Sequence, residues 1–144
     1  MTPIVRNTGP ILKLEEVLEE AKKTKDWFEA IVYSAIQLER YGYLEMKDYL
    51  ESLDVSPKLV SKILETKRLS EIAKYLLTIE RINNEEYTFM IRINEERNKF
   101  IHRKKGYDFL IGTRANQEYE PLVKEAIRIL KEKLNAIRLY VSRC

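Results

Sequence analysis

Cysteine is nearly absent from this chain. The single Cys144 is the last of 144 residues, so no disulfide can form within the chain. With one cysteine and one histidine, His102, no Cys/His zinc cluster can be assembled, and no metal site is expected. Glycine and proline number four each, which leaves few breaks for loops. No apolar run approaches the roughly 20 residues needed to span a bilayer, so no membrane partner is expected. No charged segment followed by an apolar one opens the sequence, as a secretory signal would. A cytoplasmic location is the expectation. Charge of one sign is also scarce. A formal net charge of +3 permits nucleic-acid binding but argues against a large nonspecific electrostatic grip.

Charged residues are abundant, at 34%, and 44% of the chain is hydrophobic. The bias toward Lys, Glu, Arg, Ile and Leu points to a thermophilic source. The length fits one domain with a real core. Residues 1–10, with two prolines and Gly9, read as a flexible N-terminal arm, and residues 11–144 as a single helical domain.

From Ile11 onward the apolar residues keep helical spacing. Ile11, Leu14, Val17, Leu18 and Ala21 form the first stripe. Trp27, Phe28, Ile31, Ala35 and Leu38 form the second, capped by Thr24 or Asp26 and ending near Gly42. A short helix is expected over about Glu45 to Leu53. Another opens at Ser56-Pro57 with Leu59, Val60, Ile63 and Leu64 as its apolar residues. Leu69, Ile72, Ala73, Leu76, Leu77 and Ile79 mark the next. Asn83-Asn84 with Glu85-Glu86 begins a helix that runs to about His102. Arg103, Lys104 and Lys105 then give a cationic helix end before Gly106. The last helix begins near Asn116 and carries Leu122, Ala126, Ile129, Leu130, Leu134, Ile137 and Val141. The expected fold is all-α: one bundle of four to five main helices plus short ones.

The chemistry-bearing stretch is Arg97-Asn98-Lys99-Phe100-Ile101-His102. On a helix, Phe89, Met90, Ile93, Phe100 and Ile101 form an apolar stripe, and Arg97 falls in its middle. A charge there is expensive unless it is paired or faces a partner. Asn98 and His102 are four apart and share a face, with Asn94 and Glu95 on or near it. Arg97 and His102 are five apart, roughly 140° around an ideal helix. Acting together therefore requires a helix that distorts or ends before His102, the long reach of arginine, or a second subunit across a two-fold axis. The bland alternative is an Arg paired to a neighbouring glutamate and a His that complements a helix C-terminus.

An arginine, then asparagine, then histidine late in a long helix of a small all-α chain resembles the signature of the HEPN superfamily. That resemblance implies a four- or five-helix bundle that dimerises with its motifs facing. It implies a metal-independent endoribonuclease of toxin–antitoxin or defence systems, without a cofactor. Arg97, Asn98 and His102 would be its catalytic residues. Lys99, Arg103, Lys104 and Lys105 would guide a single RNA strand. The implied partners are RNA, a second copy, and an antitoxin or small nucleotidyltransferase. The subgroup that pairs with the nucleotidyltransferase carries tyrosine two residues after the histidine, where this chain has Lys104. Some HEPN domains bind nucleotide, RNA or protein without turnover, which is the alternative function.

Two other patterns carry less. Met46 to Lys67 can be read as helix-turn-helix with Lys58, Lys62, Lys67 and Arg68 as basic residues, but the turn has no glycine and no base-reading cluster follows. The nine tyrosines suit the edge of a core better than base stacking.

Overall fold

The apolar period of three to four residues becomes helix almost throughout. The computed structural model describes the backbone of residues 3–102 and 113–142, and the side chains of residues 9–99 and 115–133. Among the described residues there are six helices and no strand: α1 Pro3–Thr24, α2 Phe28–Ser52, α3 Pro57–Leu64, α4 Leu69–Thr78, α5 Asn84–His102 and α6 Thr113–Ser142. The all-α expectation holds. No described helix is long and apolar enough to cross a membrane.

The chain divides into two compact units, residues 1–34 with 96–144, and residues 35–95. In the first unit α1 packs against α6. Ile11, Leu14, Val17, Leu18 and Ala21 are all buried, as are Leu122, Ala126, Ile129 and Leu130. Each fully buried aliphatic side chain contributes about 1.5–3 kcal/mol. Glu15 on α1 receives the Lys131 ammonium of α6 at 3.4 Å. Trp27 is fully buried and donates its indole N–H to Asn116 Oδ1 at 2.7 Å. Asn116 in turn donates to the Lys22 carbonyl at 3.4 Å. Between α1 and α2, Lys25 adopts left-handed backbone (φ 62°), and the Asp26 carboxylate accepts the Phe28 N–H at 3.1 Å.

The helix starts and stops differ from the sequence reading in three places. The α1 backbone is helical from Pro3 rather than from Ile11, consistent with proline's fixed φ suiting a first helical position. α6 opens at Thr113, ahead of Asn116. Most informatively, α2 does not stop at Gly42 but runs unbroken to Ser52. Gly42 is buried, and a Cβ there would lie 2.4 Å from Ile72 Cγ2 and 3.3 Å from Leu76 Cδ1. The glycine serves close packing of α2 on α4, not helix termination.

In the second unit the helix caps are explicit. Ser56 is extended and its hydroxyl accepts the Leu59 N–H at 3.3 Å, with Pro57 following. α4 has no cap from its own Arg68; Glu39 of α2 accepts the Leu69 N–H at 3.1 Å instead. Asp54 supplies the left-handed turn before α3 (φ 63°), a conformation that Asp tolerates better than most residues. Of the four apolar residues of α3, Val60 and Leu64 are buried, whereas Leu59 and Ile63 are 49% and 39% exposed. An eight-residue helix has room to bury only one narrow face.

Candidate active site on the last turns of α5

α5 begins with a reciprocal cap. Asn83 Oδ1 accepts the Glu86 N–H at 2.8 Å, and the Glu86 carboxylate accepts the Asn83 N–H at 2.9 Å. Met90 and Ile93 are fully buried. One turn further along the same stripe, Arg97 is half-buried, as is Asn98. Arginine therefore stands where the spacing places it, on an apolar stripe, and it is engaged in an interaction there.

The helix remains regular through its last residue, His102. A helix that ends before His102 is thus not the way Arg97 and His102 come together. Five positions on continuous helix leave them roughly 140° apart in register. Asn98 and His102 stay one turn apart. The His102 side chain lies outside the described residues, as do Arg103, Lys104 and Lys105.

Lys99 is within them. Its ammonium donates to Glu96 Oε1 at 3.0 Å. Glu96 is buried, and its other oxygen accepts the Tyr119 hydroxyl of α6 at 3.3 Å. Tyr119 is itself buried. This three-residue chain, Tyr119–Glu96–Lys99, adjoins Arg97 directly in sequence. Neither Glu96 nor Tyr119 was singled out from the sequence. The signal for Glu96 was present: it lies three residues after Ile93 and seven after Phe89, on the apolar stripe itself. A carboxylate there needs donors from a neighbouring element. Tyr119, 23 residues away, carries no local signal.

Chemically, a half-buried guanidinium can hold a phosphate through two parallel N–H donors. The adjacent amide can donate or accept. Among the described residues no group of three or more His, Cys, Asp or Glu is arranged to hold a metal ion.

A second polar centre lies in residues 35–95. Arg81 donates to Glu45 at 2.8 Å and lies 3.5 Å from Asp48. Tyr41, Glu45 and Glu86 are buried. Burial holds the Tyr41 phenol well above its usual range, the Glu45 and Glu86 charges push the same way, and Arg81 opposes them. The Tyr41 hydroxyl has no hydrogen-bond partner among the described residues. In the helix-turn-helix reading, α3 would present base-contacting polar groups. Its exposed side carries Leu59 and Ile63 beside Lys58 and Lys62, and the helix has none of the Arg, Asn and Gln side chains that read base edges.

Comparison with protein-family models, with curated proteins and with solved structures returns no match for this chain.

Proposed function

We propose that this chain is a metal-independent endoribonuclease of the HEPN type. The observation that carries the reading is a half-buried Arg97 followed by a half-buried Asn98 on the last turns of α5, the helix whose final residue is His102. In this reading Arg97 binds the scissile phosphate and stabilises the charge that develops on its oxygens. The RNA 2′-hydroxyl attacks the adjacent phosphorus and the bond to the 5′-oxygen breaks. His102 takes the proton from the attacking hydroxyl or gives one to the leaving oxygen. Asn98, one turn before His102, orients the imidazole or donates to the phosphate. Arg103, Lys104 and Lys105 guide the flanking strand.

The register of α5 favours a homodimer. A separation of roughly 140° between Arg97 and His102 is bridged most simply by a second copy of α5 across a two-fold axis. Such a dimer supplies two histidines to one phosphate, one as base and one as acid. A cytoplasmic toxin or defence component, held in check by an antitoxin or a nucleotidyltransferase, is the biological setting that the HEPN resemblance implies.

Product ends test the chemistry. Cleavage of single-stranded RNA by this route leaves a 2′,3′-cyclic phosphate on one fragment and a 5′-hydroxyl on the other. Fragments with 5′-phosphate ends would contradict it, because attack by the 2′-hydroxyl expels the 5′-oxygen without phosphorus.

A further inference from the structure

Lys99 is the one described member of the basic set read as RNA-binding, and its ammonium is already committed. It sits 3.0 Å from Glu96 Oε1. Its partner is not free to move. The Glu96 side chain is 9% exposed, and its second oxygen is tied to the buried Tyr119 hydroxyl at 3.3 Å. The Lys99 side chain is 49% exposed on a long flexible stem. The pair is asymmetric: a fixed, buried carboxylate and a cation that can leave it.

We infer that Glu96 masks Lys99 from polyanions and so restrains single-stranded RNA binding at the candidate site. The inference rests on the proposed reading in taking RNA as the ligand. A phosphate that recruits Lys99 must first draw it from Glu96, so the new contact replaces an old one. The restraint is partial, because ion pairs with one half-exposed member are weak. It leaves the grip on RNA to Arg97, Asn98 and the basic residues Arg103, Lys104 and Lys105. A chain with a net charge of only +3 then discriminates by local fit rather than by bulk attraction.

Glu96→Gln keeps the size of the side chain and an acceptor for Tyr119 while removing the charge. Binding of a fluorescent single-stranded RNA is measured in EDTA across a salt series for wild type, Glu96→Gln, Lys99→Gln and the double variant. The mask predicts tighter binding by Glu96→Gln, with a salt slope steeper by about 0.7, the increment of one freed contact to a single strand. Its advantage over wild type is then about fivefold larger at 0.1 M than at 1 M salt. Adding Lys99→Gln removes the gain. Glu96→Gln that binds no tighter, or a gain that survives in the double variant, overturns the mask. If Glu96→Gln fails to fold, Lys99→Gln alone decides: an unchanged salt slope supports the mask, and a slope shallower by about 0.7 overturns it. Cleavage is scored separately. Tighter binding without any cleavage upholds the mask and removes the ribonuclease reading. Cleavage dependent on His102 without tighter binding does the reverse. RNA bound by none of the four proteins overturns the mask together with RNA as the ligand.

Discussion

Tyr119 donates its buried hydroxyl to Glu96 Oε2 over 3.3 Å, and so ties α6 to the residue immediately before Arg97. The two side chains are 23 residues apart in sequence and meet in the same compact unit. Glu96 needs this donor because a buried carboxylate oxygen without a partner is strongly disfavoured.

Tyr119→Phe removes that donor and leaves the ring. Stability should fall by about 1–3 kcal/mol, the usual penalty for orphaning a buried acceptor. Urea denaturation checks it: the midpoint moves down with an unchanged slope. A midpoint equal to wild type would mean that the bond carries no net weight.

Gly42→Ala should destabilise the protein even though alanine is the better helix former. The added Cβ would lie 2.4 Å from Ile72 Cγ2, an atom on a β-branched and therefore stiff side chain. Overpacking of this kind costs about 1–3 kcal/mol, against a helix-propensity gain of about 1 kcal/mol. Ile72→Ala removes the obstructing methyl, so the double variant should lose less than the sum of the two single losses. Simple additivity would refute close packing as the role of Gly42.

Asn83→Ala breaks the reciprocal cap at the start of α5. The expected loss is about 1 kcal/mol. Asn83→Asp, which keeps an acceptor for the Glu86 N–H, should recover part of it. Thermal unfolding of the two variants side by side makes the comparison.

Tyr41 gives a pH dependence with a definite sign. Its phenol is held neutral in the folded protein, first by burial and then by the Glu45 and Glu86 charges. The unfolded chain ionises it near pH 10. Its contribution is therefore fully present below about pH 10 and is lost as the pH rises beyond that value, because only the unfolded state releases the proton there. Tyr41→Phe should flatten this part of the alkaline loss. Since the hydroxyl has no partner among the described residues, the substitution should cost little at pH 7. An unaltered stability profile between pH 9 and 11 would contradict the assignment.

The legible part of the fold was its periodicity. Ile11, Leu14 and Val17 on α1, and Met90 and Ile93 on α5, are buried as their spacing requires. The Ser56-Pro57 start of α3 is capped as its residue types demand. Gly42 was misread because the same absence of a side chain serves both a helix stop and a close helix approach. Only the position of Ile72, 30 residues on, separates the two. The exposure of Leu59 and Ile63 was not legible, because hydrophobic spacing cannot say how much of a short helix a neighbour covers. At the candidate site, Arg97 and Asn98 were visible in the sequence. Glu96 was visible in principle, by its place on the apolar stripe. Tyr119 was not, because a hydrogen bond between separate helices leaves no trace in local pattern. The same holds for the bond from Trp27 to Asn116, 89 residues apart.

Arg97 and His102 are proposed to cleave RNA without a metal. The direct measurement incubates wild type, Arg97→Lys and His102→Ala with a broad panel of single-stranded RNAs in EDTA, with circular dichroism establishing that all three are folded. The expected result is cleavage by wild type, loss of at least 100-fold in His102→Ala, on the scale of one removed acid–base group, and a comparable loss in Arg97→Lys, because an ammonium cannot reproduce the two-pronged phosphate contact. Folded wild-type protein that leaves every RNA intact, or cleavage that persists undiminished in His102→Ala, would contradict it.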